Sequence, residues 1–380
     1  MAWRYPLTHP DGVTAEAVAD AVACLQSGAH TMGARVEAFE QAIAAAVNAR
    51  HAIMVNSGSS ANLLAVEALV APSSGRGVWR AGDRIAVPAL CWPTSVWPLV
   101  QRGLVPVFVD IEPHTLGIDA DQVPTSIAGV VLIHVMGCPA QATLPLLRRG
   151  LLMLEDTCES FGARLAGQAC GTFGVIGTYS HYLAHQVTSI EGGTVIANAD
   201  SVADDVRSMR SHGWTRQRQD RQDEGRWSFV TTGYNVRPVE VTAAVGLAEL
   251  RGFEAVRIGR RMRAAQMRRW LAAAGLTVPF PEDDGVSSTG YRQSLMYVPV
   301  LASSAAHQAA AVAHLTACGV ETRPILTGNF LAQPVMRQAG YDPTRYPVTN
   351  DVAARGFLLG CHPATDGAVL EEALSRVPVA

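Results

Sequence analysis

A chain of 380 residues, 48% hydrophobic and 17% charged, has apolar surface for a large core and the length for two domains, which excludes a disordered or low-complexity protein. The 30 basic residues against 33 acidic ones give a formal net charge of -3, so no global positive field would hold the chain on nucleic acid or an anionic membrane. All 30 basic residues are arginine, and without lysine no mechanism that needs a lysine Schiff base is open to this protein.

In chain order, the opening segment MAWRYPLTHPDG lacks the apolar run of a secretory signal, and no stretch reaches about 18 uninterrupted apolar residues, so a soluble, cytoplasmic protein without a membrane span is expected. Residues 14–27 and 34–47 carry alanine-rich helical periodicity, with Gly28 and Gly33 punctuating the link. Short apolar runs follow at 52 (AIMV), 84 (RIAVP), 105 (VPVFVD), 129 (GVVLIHV) and 151 (LLMLED). Their spacing leaves room for helices between them, which predicts an α/β protein with a mostly parallel sheet covered on both faces. The charge-dense stretch 214–227 reads either as a solvated loop or as a lid over an anionic substrate. From Pro238 to Gly275 the pattern is one long arginine-studded helix, followed by a strand-like RQSLMYVPV, an alanine-rich helix and a tail broken by glycine and proline. A boundary near residue 245 divides the chain into a large domain, 1–245, and a small C-terminal domain, 246–380. The seven cysteines show no C-x-x-C pair, which favours reduced thiols over disulfides.

Three segments carry chemistry. In VNSGSSANLLAVEAL a strand runs into a helix, so Gly58, Ser59 and Ser60 would present N–H groups and hydroxyls at a positive helix end, a phosphate cradle or an ordinary N-cap. In LEDTCESFGA, Asp156 and Glu159 follow a buried strand at the edge where open α/β sheets place ligands. A carboxylate there can pair with a protonated ring nitrogen, or simply serve an acidic helix start. In TYSHYLAHQVTSIEGGTV, His181 and His185 have helical metal-ligand spacing, but the segment reads as strand and loop with no third ligand nearby, so no metal is expected.

With TMGARVEAFE, VPALCWPTS, SHGWTR, GYNVRP and RPILTGNF, these segments resemble the DegT/DnrJ/EryC1/StrS family along essentially the whole chain. The family consists of fold type I (aspartate aminotransferase-like), pyridoxal-phosphate-dependent enzymes that act on nucleotide-linked keto-sugars. The resemblance implies a large cofactor-binding domain followed by a smaller α/β domain. Most members hold the cofactor on a lysine five residues after the serine equivalent to Ser180; here that position is His185, as in the family's 3-dehydratase branch. The implied activity is loss of the C3 hydroxyl from a nucleotide-linked 4-keto-6-deoxy sugar, with a GDP-mannose derivative favoured. The alternatives are another sugar or glycoside, or a catalytically silent binding homologue. The implied cofactor is non-covalent pyridoxal or pyridoxamine phosphate, restored by glutamate. An iron-sulfur cluster is not expected, since no cysteine lies between Gly171 and Ala317.

The resemblance assigns the cofactor phosphate to Gly58, Ser59 and Ser180, with Asn235 reaching it from a second subunit of a homodimer. Trp92 would stack on the pyridine, Asp156 would hold its nitrogen protonated, and Glu159 would lie near the ring hydroxyl. His185 would act as base and then acid, with a pKa of about 6.5 suiting both roles. Arg237 would bind the glutamate carboxylate or form an interface ion pair, and His212 and Arg216 would meet the substrate phosphates or sugar or belong to a solvated loop. Gln186, Cys91 and Pro93, and the short charged loop depart from the nearest pattern.

Overall fold

The computed structural model describes residues 3–70, 79–218, 227–283, 285 and 290–378. Helices α1 (Ala15–Gln26) and α2 (Ala34–Val47) open the chain, the first capped by Thr14, whose side chain accepts from the Ala17 N–H. There follow β1 (His51–Val55), α3 (Gly58–Val70), β2 (Arg84–Pro88), α4 (Trp97–Gln101), β3 (Val105–Val109), β4 (Gly129–Ile133), α5 (Thr143–Arg148) and β5 (Leu152–Asp156), each strand on one of the expected apolar runs. A small hairpin, β6 (Arg164–Leu165) and β7 (Gln168–Ala169), precedes β8 (Ile176–Ser180), β9 (Gly193–Ala197), α6 (Asp200–Arg210) and the long α7 (Glu240–Ala273). The rest comprises β10 (Tyr297–Leu301), α8 (Ala305–Ala317), β11 (Thr322–Arg323), α9 (Pro334–Gln338), α10 (Pro347–Arg355), β12 (Gly356–Gly360) and α11 (Gly367–Leu374).

Seven strands form the main sheet in the order β1-β9-β8-β5-β4-β2-β3. The pairings from β8 to β3 are parallel, and β9 runs antiparallel to both β8 and β1. Because successive side chains point to opposite faces, each strand feeds two layers. Ile53 and Val55 join the core that contains Leu64 and Leu69 of α3, whereas Ala52, Met54 and Tyr179 meet Phe39 and Ile43 of α2 and Ala243 of α7. Farther along the sheet, Ala86, Val130, Leu132 and Met153 pack with Leu146 of α5. This double covering explains why the strands read as continuous apolar runs rather than as alternating ones. None of the described helices is long and apolar enough to cross a membrane.

The second sheet, β10-β12-β11, is antiparallel. Helix α7 runs unbroken through residue 245. Near its start Val245 and Ala248 pack on Ala17 of α1, and toward its end Met267 and Leu271 share a core with Leu358, Leu359 and Leu370. It therefore packs on the first helices at one end and on the second sheet's core at the other. The two halves also meet at Gly137 (φ +91°): a Cβ there would stand 1.9 Å from the Ser294 carbonyl oxygen, so only glycine lets the β4 exit approach the segment entering β10.

Candidate active site

The C-terminal ends of β4, β5 and β8 deliver Ile133, Asp156 and Ser180 to one edge of the main sheet, where a cavity of about 350 Å³ opens. This is the edge at which open α/β sheets bind ligands. Seven of the expected residues line it: Gly58, Ser59, Trp92, Asp156, Glu159, Ser180 and His185. They come from four separate stretches of chain, 58–59, 92, 156–159 and 180–185, gathered because parallel strands discharge on the same side.

Gly58 opens α3 against the end of β8. A Cβ at this position would lie 2.6 Å from Ser180 Cβ and 2.9 Å from its Oγ, so the helix end reaches the serine only because it is glycine. Ser57 caps the helix, its hydroxyl accepting from Ser60 N at 3.1 Å, and the Ser60 hydroxyl donates to Asn56. The expected use of Ser60 in an anion cradle is therefore corrected: both its N–H and its hydroxyl serve the cap. The groups left on the cavity wall that could receive an anion are the N–H groups of Gly58 and Ser59 and the Ser180 hydroxyl. Gly58→Val is expected to push α3 off β8, destabilising the protein by about 1–3 kcal/mol and weakening phosphate-dependent cofactor retention. Thermal unfolding and cofactor titration would check this, and wild-type values for both would contradict it.

Asp156, at the end of β5, accepts from Asn62 Nδ2 at 2.8 Å and Ser95 Oγ at 2.6 Å on one oxygen and from Cys158 N at 3.2 Å on the other. Thr178 Oγ1 in turn donates to Asn62 Oδ1 at 2.6 Å. Asn62 and Ser95 were not singled out from the sequence. Asn62 stands four residues after Gly58, one turn into the same helix, and that periodicity was the available signal. The neighbouring Glu155 points to the other face, where it accepts from His134 Nε2 and from the N–H groups of Gly171 and Gly174. Strand alternation thus separates a structural carboxylate from one that faces the cavity.

His185 sits on the cavity wall with Nδ1 2.5 Å from the Cys158 carbonyl oxygen. A carbonyl only accepts, so Nδ1 carries the proton and Nε2 is left with its lone pair. Burial lowers the imidazole pKa to about 4, against the opposing pull of the Cys158 carbonyl and the Asp156 charge. The expectation of an ordinary value is corrected accordingly. Glu159 shows the mirror case: burial raises its carboxyl to about 8, although Met136 N donates to it at 3.1 Å. Gln186 is buried and donates to the carbonyls of Glu159 and Ser294, the latter at 2.8 Å, tying the acidic turn to the β10 side. His181 is fully buried between the Val187 carbonyl at 3.1 Å and Thr194 Oγ1 at 2.8 Å, and among the described residues no cluster of His, Cys, Asp or Glu is arranged for a metal.

Asn235, Arg237 and Arg216 do not line this cavity. With Trp214, Ser211 and Thr31 they border a second, surface cavity of about 380 Å³, in which Arg237 Nε donates to Asn235 Oδ1 at 3.0 Å. His212 lines neither cavity; it is exposed at φ +65°, its N–H donating to the Tyr234 carbonyl. Of the charge-dense stretch, residues 219–226 lie outside the described residues. At its ends the rings of Trp214 and Trp227 stack 4.9 Å apart, with Arg216 over Trp214. Cavity residues that were given no role from the sequence include Tyr297 and, within the quoted segments, Cys158, Glu191 and Arg323, the first residue of RPILTGNF.

Sheet order, switch-point cavity and helix-end cradle define a cofactor-dependent enzyme fold of the fold type I class. The chain belongs to the DegT/DnrJ/EryC1/StrS aminotransferase family, whose match spans residues 12–377. It is 34% identical over 325 residues to GDP-4-keto-6-deoxy-D-mannose 3-dehydratase of Yersinia pseudotuberculosis, covering 81% of each chain. The Escherichia coli GDP-4-keto-6-deoxy-D-mannose-3-dehydratase with bound hydrated pyridoxal phosphate superposes with a TM-score of 0.87 at 29% identity, over 98% of this chain and 100% of that one. A structure of GDP-4-keto-6-deoxymannose-3-dehydratase with a trapped pyridoxal-phosphate–glutamate geminal diamine gives 0.85 at 29% identity, over 97% and 100%.

The residues of this cavity fit such a cofactor. The close approach that Gly58 allows brings the α3 N-terminus and the Ser180 hydroxyl side by side on the cavity wall, an arrangement that suits a phosphate, and the Asp156 carboxylate suits a protonated ring nitrogen. Trp92, 52% exposed, offers an indole face at the cavity rim.

Proposed function

We propose that this protein is a pyridoxal/pyridoxamine-phosphate-dependent 3-dehydratase that removes the C3 hydroxyl of a nucleotide-linked 4-keto-6-deoxy sugar, with GDP-4-keto-6-deoxy-D-mannose as substrate and glutamate as amino donor. The observation that carries this reading is His185, placed on the cavity wall with Nε2 free of its own hydrogen bond in a chain without lysine. When bound, the cofactor supplies an amine for the sugar ketone and a ring that accepts electrons. Gly58, Ser59 and Ser180 would hold its phosphate, Asp156 would keep its ring nitrogen protonated, Trp92 would cover its face, and Glu159, raised to about 8, would stand near its ring hydroxyl as a protonated carboxyl. His185 Nε2 takes a proton and, once charged, returns one to the leaving C3 hydroxyl. With its pKa lowered to about 4, the imidazolium is a strong donor for that second step.

Incubating the protein with cofactor, glutamate and GDP-4-keto-6-deoxy-D-mannose is expected to give a sugar product lighter by one oxygen in mass spectrometry. An aminated sugar would overturn the reading, because transamination needs the lysine that is missing.

The working unit in this proposal is a homodimer. Asn235 and Arg237 lie outside their own chain's cofactor cavity, so they act by completing a neighbour's, Asn235 at the cofactor phosphate and Arg237 at the glutamate carboxylate. Light scattering is expected to give twice the chain mass, and a fully active monomer would refute this part. In the dimer, Arg216 and His212 would stand near the sugar-nucleotide phosphates.

A further inference from the structure

We propose that Arg260 and Arg263 of α7, together with the His362 ring, hold a small inorganic monoanion of chloride size inside the C-terminal half of the protein. The antiparallel register that sets Tyr297 opposite Gly360, continued past the end of β12, brings Cys361 beside Met296 and His362 beside Leu295. The Cys361 thiol accordingly points at the Met296 carbonyl, 3.8 Å away. The chain then turns through 362–365, with Thr365 Oγ1 donating to the His362 carbonyl at 2.6 Å. Helix α7 meets this turn at Gly259, where a Cβ would stand 2.7 Å from Pro363 Cβ. Next to that contact Arg260 Nη1 donates to the Leu295 carbonyl at 3.1 Å, and one helical turn on Arg263 Nη2 donates to the Thr365 carbonyl at 3.2 Å. Two guanidinium groups and an imidazole are thereby gathered at a single turn.

The positive charge collected there has no counterpart. Arg260 is only 6% exposed, and an arginine stays protonated even when buried. The acidic groups that act on it are the Cys361 thiol and the Tyr297 phenol, and burial keeps both neutral, the thiol pushed up to about 11. Donors are left over as well: Arg260 Nε and Arg263 Nη1 are buried without an acceptor. His362 adds a third, since its Nδ1 accepts from Ala364 N at 3.2 Å and its proton therefore sits on Nε2, for which there is no acceptor among the described residues. Burial and the nearby Arg260 lower the His362 pKa to about 3, so the ring contributes a donor and no charge. A buried cation without a partner is strongly destabilising until an opposite charge joins it. Water would meet the donors but not the charge, whereas an anion meets both. The burial of Arg260 and His362 restricts the guest to one that sheds its hydration shell readily, which suits a halide better than a phosphate.

The test is thermal unfolding of the cofactor-loaded protein in sodium gluconate, with chloride replacing gluconate at constant ionic strength, and it involves neither substrate nor turnover. Chloride is expected to raise the wild-type midpoint by about 2–4 °C. The same rise is expected in Arg251→Met, which removes an exposed arginine of the same helix that is paired with Glu16 and Asp20. In Arg260→Met, where an apolar chain of similar length takes the buried position, the rise should vanish. No rise in wild type, or an undiminished rise in Arg260→Met, overturns the proposal. Should Arg260→Met fail to fold, wild-type crystals soaked in bromide decide by anomalous scattering. A bromide peak within hydrogen-bond reach of Arg260 Nε and Arg263 Nη1 supports the site, and water or no peak at that place overturns it.

Discussion

His185→Asn is expected to lower deoxygenation by about 10²–10⁴-fold, while the protein still binds cofactor and sugar nucleotide. The asparagine amide can still donate to the Cys158 carbonyl, so the local turn is kept, but it offers no nitrogen that titrates. Product mass spectrometry and cofactor absorbance check the two halves, and wild-type turnover in the variant would remove His185 from the mechanism. The same residue sets a pH dependence. Its pKa is lowered to about 4 in the fold by burial, whereas in the unfolded chain it is about 6.5. Keeping the ring neutral therefore costs nothing above about 6.5, and stability is lost as pH falls from there toward 4. His185→Asn should lose less of its thermal midpoint over that window than wild type. The acid limb of kcat/KM for wild type should lie near pH 4.

Asp156→Asn is expected to lower turnover by about 10²–10³-fold and to weaken cofactor binding as well. The carboxylate satisfies three donors, Asn62 Nδ2, Ser95 Oγ and Cys158 N, with two accepting oxygens. An amide of the same shape brings an NH₂ group against at least one of them, leaving a buried donor unmet at about 1–3 kcal/mol. It also removes the negative charge that keeps a ring nitrogen protonated. Steady-state kinetics with cofactor titration separate the two effects. A variant that binds cofactor as wild type and turns over at the wild-type rate would show that the carboxylate does not face the ring.

Much of this was legible in the sequence because it depends on short-range patterning. The apolar runs at 52, 84, 105, 129 and 151 became β1 to β5, since a strand buried on both faces must be apolar at successive positions. Glycine before a small-residue helix start marked the cradle, and the residue pairs Asp156/Glu159 and Ser180/His185 flanked buried strands. The share taken by Ser60 was misjudged, because a side chain's choice between capping its own helix and meeting a ligand depends on the neighbour that reaches it first. Asn62 and Ser95 were missed because their role is to hold Asp156, 94 and 61 residues away; the helical spacing of Asn62 from Gly58 put it on the right face but did not name its partner, and nothing local marked Ser95. Arg323 opens the quoted segment RPILTGNF but was given no place in the site: β11 pairs only with β12 in the second sheet, and the side chain joins the cavity through the packing of the two halves.

What the sequence determined by itself is the covalent chemistry available. A chain with no lysine cannot tether an aldehyde cofactor through a side-chain amine, and histidine at position 185 offers a base and an acid in one ring; both are facts of residue identity that folding does not alter. What only the tertiary structure decided is the state in which those residues stand. The tautomer of His185 follows from the Cys158 carbonyl beside it, its lowered pKa and the raised pKa of Glu159 follow from burial, and Asn235 and Arg237 stand off their own chain's cavity because their segment is bridged to the end of α6 at Ser211. Proton affinity depends on solvent access and on neighbours through space, and neither is encoded in the spacing of residues along the chain.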